Sequence, residues 1–222
     1  MNQSLLTRVR TKFRRRFPTR KARRHELVGP PEFWKQKRAF QIDFLKRNGL
    51  SPASTLVDIG CGTLRGGIPI IEYLDTGHYA GIDIRTEVEQ VARAELTEAR
   101  LTGKVPTLLF GHPLPEVHLD RTFDYAWAFA VLFHLTDEHL AECLAFASEH
   151  LSPDGVFLAN ANLGQHEPDR WREFPVVWRR LSDYADAAAI VGMQVEDLGT
   201  LGSLGHDFTG TGQHMLKFTV RR

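Results

Sequence analysis

A glycine-rich stretch directly after a short apolar run is the feature that most constrains this chain. The run Thr55–Ile59 favours a β-strand that stops at Gly60, and Gly66–Leu74 has the pattern of a helix. Glycines at such a turn let the backbone approach a ligand closely, and the following helix N-terminus offers free N–H groups. The order therefore predicts a strand, a turn and a helix of an α/β sheet, with a ligand site at the turn.

The same alternation continues along the chain and sets the predicted fold class. Further strands are predicted at Tyr79–Ile84, Thr107–Phe110, Phe123–Phe129, Gly155–Asn160, Met193–Leu198 and Met215–Val220. Helices are predicted at 32–48, Thr86–Leu101, Asp137–Leu151 and Ser182–Val191. The pattern predicts an α/β fold, with a mostly parallel seven-stranded sheet, helices on both faces and a terminal strand pair.

The length of 222 residues suits one domain with a full core. We predict a basic segment over residues 1–27 and a single domain over 28–222, which begins at a Gly-Pro-Pro break. Residues 161–181 interrupt the rhythm of the domain and carry the large aromatic residues Trp171, Phe174 and Trp178. We expect an inserted lid or a partner surface there, and a homodimer is one partner that its apolar residues would suit.

The formal net charge of +1 hides an uneven distribution. Residues 1–24 carry ten Lys or Arg and no acid, which leaves 18 basic against 27 acidic residues and a net charge of −9 over the rest. An Arg-rich, acid-free start is found in solvated tails, in organellar transit peptides and in segments that contact nucleic acid or membrane surfaces. The sequence leaves these alternatives open, although the acidic remainder argues against a nucleic-acid partner more than against weak membrane-surface contact.

The composition excludes several classes of protein. Hydrophobic residues make up 42% of the chain and charged residues 25%, close to globular averages. No run approaches the roughly 20 apolar residues that span a membrane. The two cysteines, Cys61 and Cys143, fit a reducing compartment, because a disulfide at Cys61 would obstruct the glycine turn. We therefore expect a soluble, cytoplasmic protein.

The spacing of the glycines separates two classes of nucleotide site. Dinucleotide folds use G-x-G-x-x-G, and counted from Gly60 the third glycine position holds Arg65, which argues against NAD. Asp58, just before the glycines, favours a ligand with a cation near the turn. Asp83 ends the second predicted strand about 20 residues further on, where a carboxylate binds ribose hydroxyls. The pattern favours a cofactor that carries both a cation and a ribose.

These residues resemble the class I S-adenosylmethionine (SAM)-dependent methyltransferases, a Rossmann-like family whose first motif reads acid-x-G-x-G. The resemblance spans roughly residues 50–160 and includes Gly81–Ile84, the strand Phe123–Trp127 and the turn Leu151–Val156. It implies SAM as the cofactor and methyl transfer as the activity. The residues that it assigns to cofactor binding are Asp58, Gly60, Cys61, Gly62, Arg65, Gly66, Asp83, Ile84 and Phe129.

Two positions depart from the family pattern. Leu64 stands where many members have a third glycine. After the third predicted strand, Gly111-His112 lacks the common acid that holds the adenine amino group. The resemblance therefore leaves the contacts to adenine open.

His134 is the candidate catalytic base. It follows the fourth predicted strand, at the carboxyl edge of the sheet, where open α/β folds bind ligands. Methyl transfer to a hydroxyl needs a group that takes a proton, whereas an amine depends on one less. Related small-molecule methyltransferases often place a histidine near this position. A packing role is the alternative for this residue.

Four further residues are candidates for substrate binding. Trp171 offers a ring that stacks on a sugar or aromatic acceptor, or else belongs to the core. His206, Asp207 and His214 lie in or beside the glycine-rich stretch 199–212. A His-Asp pair there orients a base, binds a metal or is simply solvated. The spacing supports no metal site, so a divalent metal such as Mg²⁺ is only an alternative cofactor.

The sequence favours oxygen as the methyl acceptor. Nucleobase and amide N-methyltransferases usually carry an Asn- or Asp-Pro-Pro-aromatic tetrapeptide where this chain has Ala-Phe-Ala-Val at 128–131. The stretches 29–35, 60–67 and 73–79 resemble small methyltransferases of polysaccharide assembly, including those that place a 1-O-methyl group on methylmannose polysaccharide precursors. This resemblance implies a saccharide acceptor. The alternatives are another small molecule, RNA reached through the basic segment, and a SAM-binding protein without activity.

Overall fold

The computed structural model describes residues 34–167, 169–206 and 212–221. The predictions for residues 1–27 and for Asp207 lie outside the described residues. Within them the α-helices are α1 (Trp34–Arg47), α2 (Gly67–Tyr73), α3 (Glu89–Glu98), α4 (Asp137–His150) and α5 (Leu181–Ile190). The strands are β1 (Leu56–Ile59), β2 (Tyr79–Asp83), β3 (Thr107–Phe110), β4 (Phe123–Ala128), β5 (Leu151–Ala161), β6 (Asp169–Trp171), β7 (Phe174–Val176), β8 (Met193–Thr200) and β9 (His214–Val220).

Seven of these strands form one sheet in the order β3-β2-β1-β4-β5-β9-β8. Strands β1 to β5 run parallel to one another, and β9 is antiparallel to both β5 and β8. The predicted Rossmann-like sheet with a terminal strand pair is confirmed. Strand β2 lies on one side of β1 and β4 lies on the other, so the strand order reverses its direction between β1 and β4. Open α/β folds bind ligands at the carboxyl ends of the strands at such a reversal.

The alternation of side chains along each strand divides the core into two layers. Val57 and Ile59 of β1 pack in the layer that contains Leu140 and Leu144 of α4 and Tyr184 of α5. Leu56 points to the other layer, together with apolar residues of α1, α2 and α3. Because successive strand residues face opposite sides, Asp58 shares its face with Leu56 and lies beneath α1 to α3.

Two predicted boundaries were wrong. The helix predicted to run to Leu101 is preceded by a 3₁₀ turn and ends at Glu98, because Arg100 takes a left-handed backbone with φ of 60°. The predicted turn before the fifth strand, residues 152–155, lies inside β5, where the pairing with β4 shifts register. Gly155 permits this close packing, since a Cβ there would lie 2.9 Å from the Phe123 carbonyl oxygen.

The segment 161–181 contains a small two-stranded hairpin made of β6 and β7. Its strands lie outside the main sheet, and the backbone N–H of Val177, just after β7, donates to the Phe133 carbonyl oxygen at 2.8 Å. The hairpin is therefore attached to the segment that follows β4. Cys61 and Cys143 are both buried free thiols. None of the helices in the described residues is long and apolar enough to cross a membrane.

Candidate functional site

The glycine turn after β1 has a backbone that only a few residue types adopt. Gly60 and Gly62 have φ angles of 76° and 55°. A Cβ on Gly60 would lie 2.5 Å from the Val131 side chain, so this turn touches the segment that follows β4. Leu64, which stands at the position of the family's third glycine, takes a φ of 60° and is fully buried. Leu64 thus adopts the left-handed backbone that a glycine would adopt without strain, and its apolar side chain fills the core.

Helix α1 packs directly on this turn through Gln41. A Cβ on Gly66 would lie 2.1 Å from Gln41 Oε1. The same oxygen accepts a hydrogen bond from Trp127 Nε1 at 3.2 Å, and Gln41 Nε2 donates to the Lys37 carbonyl at 3.1 Å. The missing side chain at Gly66 therefore lets a buried amide join α1, the turn and β4.

Asp83 lies at the carboxyl end of β2, beside the glycine turn, and is only 3% exposed. Its Oδ2 accepts the backbone N–H of Gly62 at 2.8 Å. Arg85 contacts both carboxylate oxygens, with Nε 3.0 Å from Oδ1 and Nη2 3.2 Å from Oδ2. The predicted ribose carboxylate is therefore held by the turn and capped by an arginine that the sequence analysis did not single out.

Asp58 is buried below the turn. Tyr79 donates its hydroxyl hydrogen to Asp58 Oδ2 at 2.7 Å. Burial raises the pKa of Asp58 from its ordinary 3.8 to about 7; the bond from Tyr79 opposes this rise, Asp83 adds to it, and Arg65 opposes it. Burial also lowers the pKa of Arg65 to about 10, and Asp58 opposes that shift. An added cation near this carboxyl would favour its ionised form.

The other predicted cofactor residues divide between the core and the rim. Cys61 is buried, and its thiol pKa is raised by burial and by the two nearby carboxyls. Ile84 is 54% exposed at the rim beside β2, an unusual degree for a large apolar residue. Phe129 is buried, with its ring stacked on Trp127 at a centroid distance of 5.6 Å.

The chemistry of the site fits the cofactor that the sequence implies. Thr63, in the middle of the turn, is fully buried, and its Oγ1 has no hydrogen-bond partner among the described residues. A buried hydroxyl of this kind calls for a partner such as a bound ligand or water. Together with the Asp83 carboxylate, the Asp58 carboxyl and the exposed Ile84, it offers polar groups for hydroxyls and a cation, and an apolar surface for a flat base.

His134 ends a 3₁₀ turn, Leu132–His134, that follows β4. Its Nδ1 lies 2.7 Å from the Pro175 carbonyl oxygen of β7. Since a carbonyl oxygen only accepts, Nδ1 carries the hydrogen and Nε2 is the basic nitrogen of the neutral ring. Burial lowers the pKa of His134 below its ordinary 6.5; the bond to Pro175 opposes this, and the charge of Arg85 adds to it. The ring is therefore neutral at pH 7.

The predicted substrate residues do not form one group. Trp171 lies next to His134, with ring centroids 5.6 Å apart. His206 is buried between the rings of Phe40 and Phe129. The remaining histidine, His214, pairs with a carboxylate of β8, as its Nδ1 lies 2.8 Å from an oxygen of Asp197. The described residues contain no cluster of three or more His, Cys, Asp or Glu that could hold a metal ion.

A row of three side-chain amides, two of them buried and the third partly buried, was missed by the sequence analysis. Asn160 Oδ1 accepts the Ala130 backbone N–H, and Asn160 Nδ2 donates to Gln213 Oε1 at 2.8 Å. Gln213 Nε2 donates to Asn162 Oδ1 at 3.0 Å, and Asn162 Nδ2 donates to the Val177 carbonyl at 3.4 Å. The row joins four parts of the chain. These are the segment that follows β4, strand β5, the residue just before β9, and the residue that follows the hairpin. Its signal in the sequence is two asparagines, two positions apart, at the end of an apolar strand.

Residues 57–157, from β1 into β5, match the model of a family described as a methyltransferase domain. The magnesium protoporphyrin IX methyltransferase of Synechocystis PCC 6803, solved with S-adenosylhomocysteine (SAH), has a TM-score of 0.68 and 15% identity, over 96% of this chain and 100% of that chain. A SAM-dependent methyltransferase from Clostridium acetobutylicum ATCC 824 has a TM-score of 0.65 and 13% identity, with the same coverage.

The glycopeptide N-methyltransferase MtfA is a third similar structure, with a TM-score of 0.64 and 15% identity over 82% of this chain and 90% of that chain. At these identities the likeness concerns the fold, and the two neighbours whose acceptors are named act on different ones, a magnesium porphyrin and a glycopeptide. The family match covers the strands that carry Asp58, the glycine turn and Asp83. Residues 57–157 therefore form a methyltransferase domain, and the chain has the fold of SAM-dependent methyltransferases.

Proposed function

We propose that this methyltransferase transfers the methyl group of SAM to a hydroxyl of a saccharide, with His134 as the base. The observation that carries the proposal is the bond between His134 Nδ1 and the Pro175 carbonyl, which makes Nε2 the proton acceptor of a neutral ring. A hydroxyl acceptor needs such a base, and an amine acceptor depends on it less.

The cofactor is held at the turn between β1 and α2 and at the end of β2. Asp83 would hold the ribose hydroxyls, Asp58 would pair with the cationic amino group, and the Thr63 hydroxyl would supply a further polar contact. Ile84 would offer an apolar surface to the adenine. When bound, SAM would supply a methyl group whose bond to the positively charged sulfur breaks as the acceptor oxygen bonds to the methyl carbon, and the sulfur keeps the electron pair and leaves as SAH.

On the acceptor side, His134 orients the hydroxyl and takes its proton at Nε2. Burial assists this role, because it lowers the pKa of His134 below 6.5 and so favours the proton-free form of the base at neutral pH. The Trp171 ring, 5.6 Å from the imidazole, is the surface on which a sugar ring stacks. The hairpin that carries Trp171 and Pro175 therefore both orients the base and forms part of the acceptor site.

The proposal is tested by methyl transfer from labelled SAM to short mannosides and glucosides, small phenols and bulk RNA, with and without Mg²⁺. Asp83→Ala is the blank and His134→Ala tests the base. We expect a methylated saccharide that Asp83→Ala abolishes and His134→Ala strongly reduces, without a need for Mg²⁺.

Three other outcomes would reject the saccharide proposal. Transfer to phenols alone would assign the Trp171 surface to aromatic acceptors. Transfer to RNA alone would point to the basic segment as the substrate-binding element. Tight SAM binding without transfer to any of the three classes would favour a SAM-binding protein without this activity.

A further inference from the structure

The carboxylate of Asp83 is fully occupied by hydrogen bonds in this structure. A carboxylate offers about four acceptor positions, two on each oxygen. Oδ2 accepts from Gly62 N at 2.8 Å and from Arg85 Nη2 at 3.2 Å. Oδ1 accepts from the Arg85 backbone N and from Arg85 Nε, both at 3.0 Å. Two ribose hydroxyls therefore find no acceptor position on Asp83 while these contacts persist.

The four contacts differ in how they can be released. Two come from backbone N–H groups, those of Gly62 and Arg85, whose places are set by the glycine turn and by the end of β2. The other two come from the Arg85 guanidinium, which moves by side-chain rotation alone. Its departure frees one position on each oxygen, and a ribose presents two neighbouring hydroxyls.

We infer that Arg85 is a positioning residue that competes with the cofactor ribose for Asp83. It holds the buried carboxylate in a defined orientation and gives up two acceptor positions when the ribose binds. The inference rests on the proposed assignment of Asp83 to the ribose, and it adds a residue that acts through Asp83.

The surroundings of Arg85 link this exchange to the acceptor side. The guanidinium carbon lies 5.8 Å from the ring centroid of Phe174 in β7, and Glu173 beside that ring attracts its charge. The same charge acts on His134. A guanidinium that leaves Asp83 therefore remains next to the hairpin, where Glu173 offers it another carboxylate. Cofactor binding is in this way coupled to the hairpin that orients the base.

The test compares the affinity of SAH for the full chain and for Arg85→Met by calorimetry. Methionine keeps an apolar stem beside Phe174 but cannot cap Asp83. We expect Arg85→Met to bind SAH about tenfold or more tightly, because the ribose no longer displaces two charged hydrogen bonds. We also expect SAH to raise the melting temperature of Arg85→Met more than that of the wild type. Arg93→Met, which removes the exposed pair with Glu89, is the matched control and leaves the affinity unchanged.

A merely structural role for Arg85 gives the opposite result, since loss of a support for Asp83 weakens binding. Equal or weaker SAH binding by Arg85→Met would therefore overturn the inference. If that variant does not fold, Arg85→Lys replaces it. One ammonium cannot span both oxygens as the guanidinium does, so tighter binding is again expected, and unchanged or weaker binding again overturns the inference.

Asp83→Asn separates the inference from the proposed assignment of Asp83 to the ribose. If it leaves SAH affinity unchanged, the ribose assignment fails; if it abolishes binding while Arg85→Met does not tighten it, the competition alone fails.

Discussion

The two halves of the site are built in different ways. The cofactor half consists of the glycine turn, Asp58 and Asp83, and its residues contact partners on the neighbouring strands β1 and β2. The acceptor half consists of residues 130–134, the hairpin of β6 and β7, and the row of amides. Its contacts join residues that are far apart in the chain, such as His134 with Pro175 and Asn160 with Gln213.

This difference explains which half a sequence can predict. One strand–turn–helix unit and the next strand contain most of the cofactor half, so its residues recur at readable spacing. The acceptor half depends on where a hairpin and a long loop return to the sheet, which no local pattern specifies. Apart from Arg85, which contacts both halves, changes in one half should leave the function of the other intact.

The largest expected effect comes from His134. We expect His134→Gln to lower the rate of methyl transfer about 10²- to 10⁴-fold, the usual contribution of a general base, while SAM affinity stays unchanged. His139→Gln is the matched control, since His139 is exposed on α4 and bonds to the nearby Thr136. Because the pKa of His134 is lowered, the acid limb of the wild-type rate profile should lie below pH 6.5. A loss of SAM binding along with the rate would mean that the two halves are not separable.

The next effect comes from Asn160, which is fully buried in the acceptor half. Asn160→Leu leaves the Ala130 N–H and Gln213 Oε1 without their partner, and each orphaned group costs about 1–3 kcal/mol. Chemical denaturation should show that loss of stability, and transfer should fall more than SAM affinity. Gln194→Leu, at an exposed amide that bonds to Thr219, should change stability by less than about 0.5 kcal/mol. Similar losses in both variants would contradict a special role for the row.

A smaller effect is expected in the cofactor half at Gly66. The new Cβ of Gly66→Ala collides with Gln41, so the free energy of unfolding should fall by about 1–3 kcal/mol. The double variant Gly66→Ala with Gln41→Ala should lose less than the sum of the single variants, because the colliding group is gone. Gly103→Ala is the control, since nothing lies within 4 Å of its Cβ position. Additive losses would rule out this contact as the cause.

The fold was predictable because the hydrophobic patterns typical of helices and strands in this chain end where the sequence also places turn residues. The seven-stranded sheet and its terminal strand pair follow from the strand and helix patterns along the whole chain, and the places of Asp58 and Asp83 follow from the first two strands. The bulge at 152–155 was not predictable, since the Pro-Asp-Gly sequence there is also that of an ordinary turn. The cap of Arg85 on Asp83 was missed although it lies two residues away, because an arginine after a strand has many other uses.

The predicted substrate residues show more clearly what a sequence pattern does not predict. His206, Asp207 and His214 are close in sequence, which favoured treating them as one group. In the structure the ring of His206 packs against Phe40 of α1. His214 of β9 pairs instead with Asp197 of the neighbouring strand β8. Strand β9 is antiparallel to β8, so its first residues face partners that sequence proximity does not reveal.

The smallest expected effect is a pH dependence that belongs to the cofactor half alone. The folded pKa of Asp58, about 7, lies above its ordinary 3.8. Between these values the folded protein holds a proton that the unfolded chain has lost, so this group lowers stability as pH rises through the window and has no further effect above it. A cofactor cation next to the carboxyl favours ionisation, and binding near pH 6 should therefore release up to one proton.

SAM affinity should accordingly rise with pH up to about 7, by at most about tenfold per pH unit, and level off above it. Calorimetry in two buffers of different ionisation enthalpy measures the released proton directly. Asp58→Asn should abolish the release, whereas His134→Gln should leave it unchanged, since His134 belongs to the other half. Proton release that disappears in His134→Gln would instead mean that the cofactor and the base share one titrating group, and the separation of the two halves would not hold.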